Sequence, residues 1–231
     1  MLALQDVDGF YGRSHALHGI TAEIGARSIT AVLGRNGVGK TTLLKTIMGL
    51  IDRMSGRIAL DGEDVSTEPA FRRSRRGIAY VPQGREIIPD FSIRENILMG
   101  AFARRDGKRA VPDIVAQLFP YLTDNLERPG GVLSGGQQQQ LAIARALAAD
   151  PKVLLLDEPT EGIQPSIVEE IEALIVRLNR EFGLTVVLVE QNVGFARRAA
   201  DAFLMMEKGR VVASGPIAGL TDDVVHRHMA V

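Results

Sequence analysis

Gly34-Arg35-Asn36-Gly37-Val38-Gly39-Lys40-Thr41-Thr42 decides how this chain reads. The stretch fits the pattern G-x-x-x-x-G-K-[ST]. An apolar, β-rich run, Ser28–Leu33, precedes it, and a helical pattern with Leu43, Leu44, Ile47 and Met48 follows. Strand, glycine loop and helix start together make a phosphate site. Glycines let the backbone curl so that several N–H groups face one anion, and the helix N-terminus adds partial positive charge. Lys40 supplies a point charge for the outer phosphates, and the Thr41 hydroxyl suits Mg²⁺.

Upstream, Leu2–Val7 alternates as a strand, Phe10-Tyr11-Gly12 reads as a turn, and Ile20–Ile24 is a second strand. An aromatic just before a phosphate loop suits stacking on a purine. Tyr11 by itself reads as a half-buried packing residue. Downstream, Ser55-Gly56 reads as a break before a strand at Arg57–Leu60, and Asp61-Gly62 as a hairpin turn. The arginines of Phe71–Arg76 read as a solvated helix face. Gly77–Val81 is a further strand, ended by Pro82-Gln83.

From about residue 84 to 132 prolines punctuate the chain, and helix-period apolar positions recur over Ile93–Ala103 and Pro112–Leu126. With the helix that follows, this reads as a helical insertion over about residues 84–150 of one domain spanning 1–231. Leu133-Ser134-Gly135-Gly136-Gln137 opens that last helix. Ser134 is a good N-cap, and a plain cap and a second anion site are both open on these residues alone.

Val153–Leu156 reads as a parallel strand buried on both faces, running into Asp157-Glu158-Pro159. Carboxylates at the carboxyl end of such a strand lie where open α/β sheets place chemistry. Asp157 suits a metal shell, and Glu158 suits orienting or deprotonating a water. Pro165 starts a helix through Phe182, and Thr185–Val189 is a buried strand leading to Glu190-Gln191-Asn192. Ala202–Glu207 and Arg210–Ala213 flank a Lys208-Gly209 hairpin, and short helices close the chain. The terminal pair His226 and His228 reads as no metal site.

Bulk properties set limits. The net charge of −1 over 231 residues argues against non-specific nucleic-acid binding. With no cysteine, disulfides and thiolate metal sites are excluded. No apolar run approaches the ~20 residues of a membrane span, so another subunit would do any spanning. The first residues, with Asp6 and Asp8, lack a signal-peptide pattern.

Taken together, the phosphate loop, Gln83, Leu133–Gln137, Asp157-Glu158 and Gln191 resemble the ATP-binding subunit of an ATP-binding cassette (ABC) transporter. The resemblance runs nearly the whole chain. It implies an α/β P-loop fold with a mixed sheet core, an antiparallel β part and the helical insertion. It implies ATP and Mg²⁺ as cofactors. Tyr11 would stack on adenine, Gly34–Thr42 would bind the phosphates, and Thr41, Gln83 and Asp157 would serve the metal. Glu158 would be the catalytic base and Gln191 the switch residue. Gln83 would also report to the membrane subunit through the insertion. Ser134, Gly135, Gly136 and Gln137 would grip the ATP of an opposing subunit. Implied partners are a second ATPase subunit or a second copy, integral membrane permease subunits and, indirectly, a periplasmic or extracellular solute-binding protein. The implied place is the cytoplasmic face of the cell membrane.

Two positions depart from the family pattern. Gln191 stands where histidine is usual, and Ile163-Gln164 where a Leu-Asp pair is usual. Gln191 donates a hydrogen bond but cannot become cationic. These departures suggest a heterodimer with unequal sites. Val189–Asn192 is similar to one ATPase of the branched-chain amino-acid importer group. Within it, Glu161–Ser166 is most similar to the urea importer ATPase, which implies urea import, with branched-chain amino acids or short amides as the alternative. A soluble ABC ATPase of repair or translation usually carries paired cassettes or long inserts, which this chain lacks. A kinase or GTPase is opposed by the LSGGQ stretch and the missing N-K-x-D.

Overall fold

Two sheets with a helix between them carry the phosphate loop. The computed structural model describes residues 2–229. The chain begins with β1 (Leu2–Tyr11), β2 (Ser14–Ile24) and β3 (Ile29–Leu33), then α1 (Lys40–Met48), β4 (Arg53–Leu60), β5 (Glu63–Asp64), α2 (Ala70–Arg76) and β6 (Ile78–Val81). Four helices follow, α3 (Ile93–Ala101), α4 (Asp113–Leu118), α5 (Pro120–Asp124) and α6 (Gly135–Leu147). The rest is β7 (Val153–Asp157), α7 (Pro165–Arg180), β8 (Thr185–Val189), α8 (Val193–Ala199), β9 (Ala202–Glu207), β10 (Arg210–Pro216) and α9 (Asp222–Met229).

The first sheet is antiparallel, in the order β2-β1-β4-β5. The second runs β10-β9-β3-β8-β7-β6 and is parallel except for β10. Strand alternation divides the core in two. Val153, Leu155, Val187 and Val189 face α1 and the antiparallel sheet, where Leu43, Leu44 and Ile47 fill the gap. Leu154, Leu156, Val186 and Leu188 face the opposite way, toward Ile97 of α3, Leu141 of α6, Ile171 of α7 and Phe195 of α8. Every residue of β3, β7 and β8 is buried, which accounts for their continuous apolar runs. Because β3, β6, β7 and β8 are parallel, their carboxyl ends open on one edge.

Several local expectations change. Phe10 and Tyr11 belong to β1, and the turn falls on Gly12-Arg13. Ser55-Gly56 is no break: it lies inside β4 at a register shift against β1, with Gly56 at φ 82°. The periodic stretch Pro112–Leu126 divides at Phe119 into α4 and α5, since Pro120 cannot continue a helix.

The arginine run is not simply a solvated face. Arg73 is buried and donates to Thr46 O and Ile47 O (both 2.9 Å), Ser66 O (2.7 Å) and Glu68 O (2.8 Å). It thus adds a second donor to Thr46 O, which also accepts from the Gly49 N–H (3.1 Å), and bolts the carbonyl end of α1 to the β5–α2 connection.

Candidate functional site

The phosphate loop connects the end of β3 to α1 and is held by its neighbours. Gly34 has φ 147°, and a Cβ there would lie 2.5 Å from the Met206 carbonyl oxygen of β9. Gly39, the N-cap of α1, has φ 106° and packs against Leu17 and Gly209. The Gly209 N–H donates to Val38 O (2.8 Å), and the His18 N–H to Gly209 O (2.9 Å). The β9–β10 hairpin and β2 therefore buttress the loop.

A cleft of about 530 Å³ opens over this loop, lined by Asn36–Thr42, Gln83 and Glu158. His15, Ala16, His18, Lys208 and Gly209 complete its wall. None of these five stands out in the sequence, because only pairing of β2 and the β9–β10 hairpin brings them to the loop. Tyr11, half exposed at the end of β1, does not line the cleft. The rings nearer the loop are His15, stacked on Phe10 with centroids 4.3 Å apart, and His18.

The Lys40 ammonium is buried. It donates to Gly34 O (2.9 Å) and Arg35 O (3.1 Å), and lies 3.4 Å from Glu158 Oε1. The Thr41 hydroxyl donates to Asp157 Oδ1 (3.1 Å), and the Tyr80 hydroxyl donates to Asp157 Oδ2 (3.0 Å). Burial pushes the Asp157 carboxyl above the usual carboxylate range, against the pull of those two donors. Burial and the Asp157 charge likewise push the Tyr80 phenol up, so it stays a donor.

Glu158 has φ 46°, an uncommon conformation for a side-chain-bearing residue outside a turn. Its second oxygen accepts from Gln191 Nε2 at 3.0 Å. The preceding Glu190 is buried and accepts from the Thr160 hydroxyl (2.8 Å) and the Gln191 N–H (3.2 Å). Burial pushes the Glu190 carboxyl above its ordinary range. Tyr80, Thr160 and Glu190 are further residues that sequence reasoning missed, since their only signal is lying one to three positions from a motif residue.

Gln83 donates to Glu161 Oε2 (2.6 Å). The loop after Gln83 is tied to α6, because Arg145 donates to Arg85 O (2.9 Å) and Glu86 O (2.7 Å). At the other end of α6, Ser134 and Gln137 form a reciprocal cap: Gln137 N–H to Ser134 Oγ (3.3 Å) and Ser134 N–H to Gln137 Oε1 (3.0 Å). A Cβ on Gly136 would collide with Ile167 of α7. Ser134–Gln137 do not line the cleft over the phosphate loop. One chain thus gathers the loop, Gln83, Asp157, Glu158 and Gln191, and holds the Ser134 corner apart.

The ABC transporter family pattern matches residues 17–161. The chain belongs to the ABC transporter family. This ABC ATPase is 42% identical to the high-affinity branched-chain amino acid transport ATP-binding protein BraG of Pseudomonas aeruginosa, over 92% of the chain and 91% of that protein. It is 38% identical to the probable branched-chain amino acid transport ATP-binding protein LivF of Archaeoglobus fulgidus, over 93% and 92%. It superposes with TM-score 0.82 and 27% identity on the dimeric post-hydrolysis state of an ATP-binding cassette bound to ADP and Pi, covering 95% of this chain and all of that one.

The ATPase hydrolyses ATP to power transport, uses Mg²⁺ as cofactor, and acts in an ATPase dimer with membrane permease subunits. The residues fit these cofactors. The Thr41 hydroxyl and Asp157 carboxylate already converge, and Gln83 lines the adjoining hollow with both. Among the described residues no three His, Cys, Asp or Glu side chains gather as a metal cage. Such a sparse oxygen set suits Mg²⁺, which takes its remaining oxygens from phosphate and water. Among the described residues no helix is long and apolar enough to cross a membrane.

Proposed function

We propose that this ATPase powers import of branched-chain amino acids from the cytoplasmic face of the membrane. The observation that carries this reading is the 42% identity to the branched-chain amino acid transport protein along nearly both chains. Urea or a short amide is the second reading. It is supported by Glu161–Ser166 alone, and the relatives named above do not add to it.

In the proposed reaction, the backbone of Gly34–Thr42 cradles the phosphates, and Lys40 exchanges its carbonyl partners for phosphate oxygens. Thr41, Asp157 and Gln83 hold Mg²⁺. The ion, when bound, neutralises charge on the phosphate oxygens. Glu158 accepts the proton of the attacking water. Gln191 keeps the Glu158 carboxylate oriented and offers its amide to the phosphate. A ring at the β1–β2 turn, Tyr11 in the family reading, stacks on adenine. Ser134, Gly135, Gly136 and Gln137 complete the site of the opposing subunit, so each chain supplies half of two sites.

The 84–150 insertion carries the opening and closing motion to the permease, with Gln83 as the sensor and the Arg145 bonds as its anchor. The neutral Gln191 and the Ile163-Gln164 pair favour a heterodimer whose second ATPase carries the usual histidine. Reconstitution of the chain with a second ATPase, permease subunits and solute-binding protein in proteoliposomes tests the cargo. ATP-driven uptake of labelled leucine that excess urea does not compete supports the reading. Uptake of urea without leucine reverses the order of the two.

A further inference from the structure

Gln83 differs from Thr41 and Asp157 in that its side chain can present two unlike atoms to a cation. Its amide ends in an oxygen that accepts and a nitrogen that donates, of nearly equal size. Mg²⁺ takes oxygen. The amide serves the ion only with its oxygen facing it, and Gln83 stands where that choice matters. It lines the cleft over the phosphate loop with Thr41 and Glu158, and the adjoining hollow with Thr41 and Asp157.

One hydrogen bond decides which end of the amide is engaged elsewhere. Gln83 Nε2 donates to Glu161 Oε2 at 2.6 Å. A carboxylate has no hydrogen to give, so it takes the nitrogen end and leaves the oxygen end free. Among the described residues nothing donates to Gln83 Oε1, and the Glu161 carboxylate makes no ion pair. Glu161 is itself held in place. Its N–H donates to Glu158 O (3.1 Å), closing a turn with Pro159 at the second position. The Thr160 hydroxyl of the same turn donates to the buried Glu190 carboxylate (2.8 Å). The turn therefore starts on the proposed base and brings its last carboxylate to the Gln83 amide.

We propose that Glu161 is a positioning residue for the cation site: it holds the Gln83 nitrogen and thereby turns the amide oxygen toward Mg²⁺. The inference rests on Gln83 as a Mg²⁺ ligand and names the residue that orients it. Glu161 acts through Gln83 and is not a ligand.

The test is equilibrium binding of a fluorescent, non-hydrolysable ATP analogue to the full chain, once with Mg²⁺ and once in EDTA. The ratio of the two dissociation constants is the gain in affinity that the cation confers. Glu161→Ala should keep the EDTA value and the native melting temperature and reduce the gain about tenfold, the lower end for losing the partner that orients a metal ligand. Glu161→Gln removes the charge but keeps an oxygen that accepts from Nε2, and should retain most of the gain. Gln83→Glu offers oxygen at both ends. In that background Glu161 faces a like charge, and adding Glu161→Ala should raise the gain instead of lowering it.

A native gain in Glu161→Ala overturns the proposal. So does an equal loss in Glu161→Gln and Glu161→Ala, which would leave charge alone as the cause. A gain that rises in Glu161→Ala also contradicts it, because Glu161 would then hold Gln83 back from the cation. Gln83→Ala separates the two levels. A lowered gain there, beside a native gain in Glu161→Ala, fails Glu161 alone. A native gain in Gln83→Ala removes Gln83 from the cation, and the proposal falls with that reading.

Discussion

Gln191 Nε2 donates to Glu158 Oε2 at 3.0 Å, joining the carboxyl ends of β8 and β7. The other Glu158 oxygen lies 3.4 Å from the Lys40 ammonium. The proposed base is thus oriented from both sides, by a neutral donor and by the cation of the phosphate loop. The positive φ of Glu158 is the local strain that this clamp holds.

Glu158→Gln removes the proton acceptor while keeping the shape. Turnover should fall by about 10²–10⁴-fold with ATP affinity retained. Steady-state hydrolysis beside a fluorescent-nucleotide titration measures both, and unchanged turnover would remove Glu158 as the base.

Gln191 carries no charge at any pH. Gln191→His should keep the hydrogen bond to Glu158 and introduce a titration near pH ~6.5 into kcat, which the native profile lacks at this position. Matched pH–rate curves decide it; superimposable profiles would mean that the switch position does not contact the reacting groups.

Ser134 is exposed at the start of α6, away from its own chain's phosphate loop. Ser134→Arg should leave nucleotide binding by the isolated chain unchanged and abolish the ATP-bound dimer. Size-exclusion chromatography of the variant in a Glu158→Gln background is the readout. A dimer that still forms with ATP would overturn the two-chain site.

Glu190 links pH to stability. Burial raises its carboxyl above the ordinary value of 4.5, so the folded chain keeps this proton to higher pH than the unfolded chain does. Its contribution to stability is then fully present below the ordinary pKa and is lost as pH rises through the raised one. Glu190→Gln has no such slope. Across thermal melts from pH 4 to 8, the difference in Tm should move in the variant's favour through that window and then level off. A difference independent of pH would contradict the assignment.

The fold was legible where residues carry backbone physics. The glycine loop between an apolar strand and a helix, the fully buried runs of β7 and β8, and the Ser134 cap each announce their geometry. The unbroken apolar run Val153–Leu156 implied two covered faces, and both are filled. What stayed hidden depends on strands meeting at a distance. His15, His18 and Lys208 reach the cleft only through the β2 and β9–β10 pairings. Tyr80 and Glu190 matter because of what lies across from them. Arg73 looked like its solvated neighbours, since nothing local says that the carbonyl end of α1 lies behind it.

The central claim is that this chain supplies half of each of two ATP sites and works beside a different ATPase subunit. ATP turnover of the purified chain, alone and titrated with the second ATPase and permease subunits, tests it most directly. The account predicts low turnover alone and a saturable rise on mixing. Full turnover by the chain alone, unaltered by the second subunit, would contradict it.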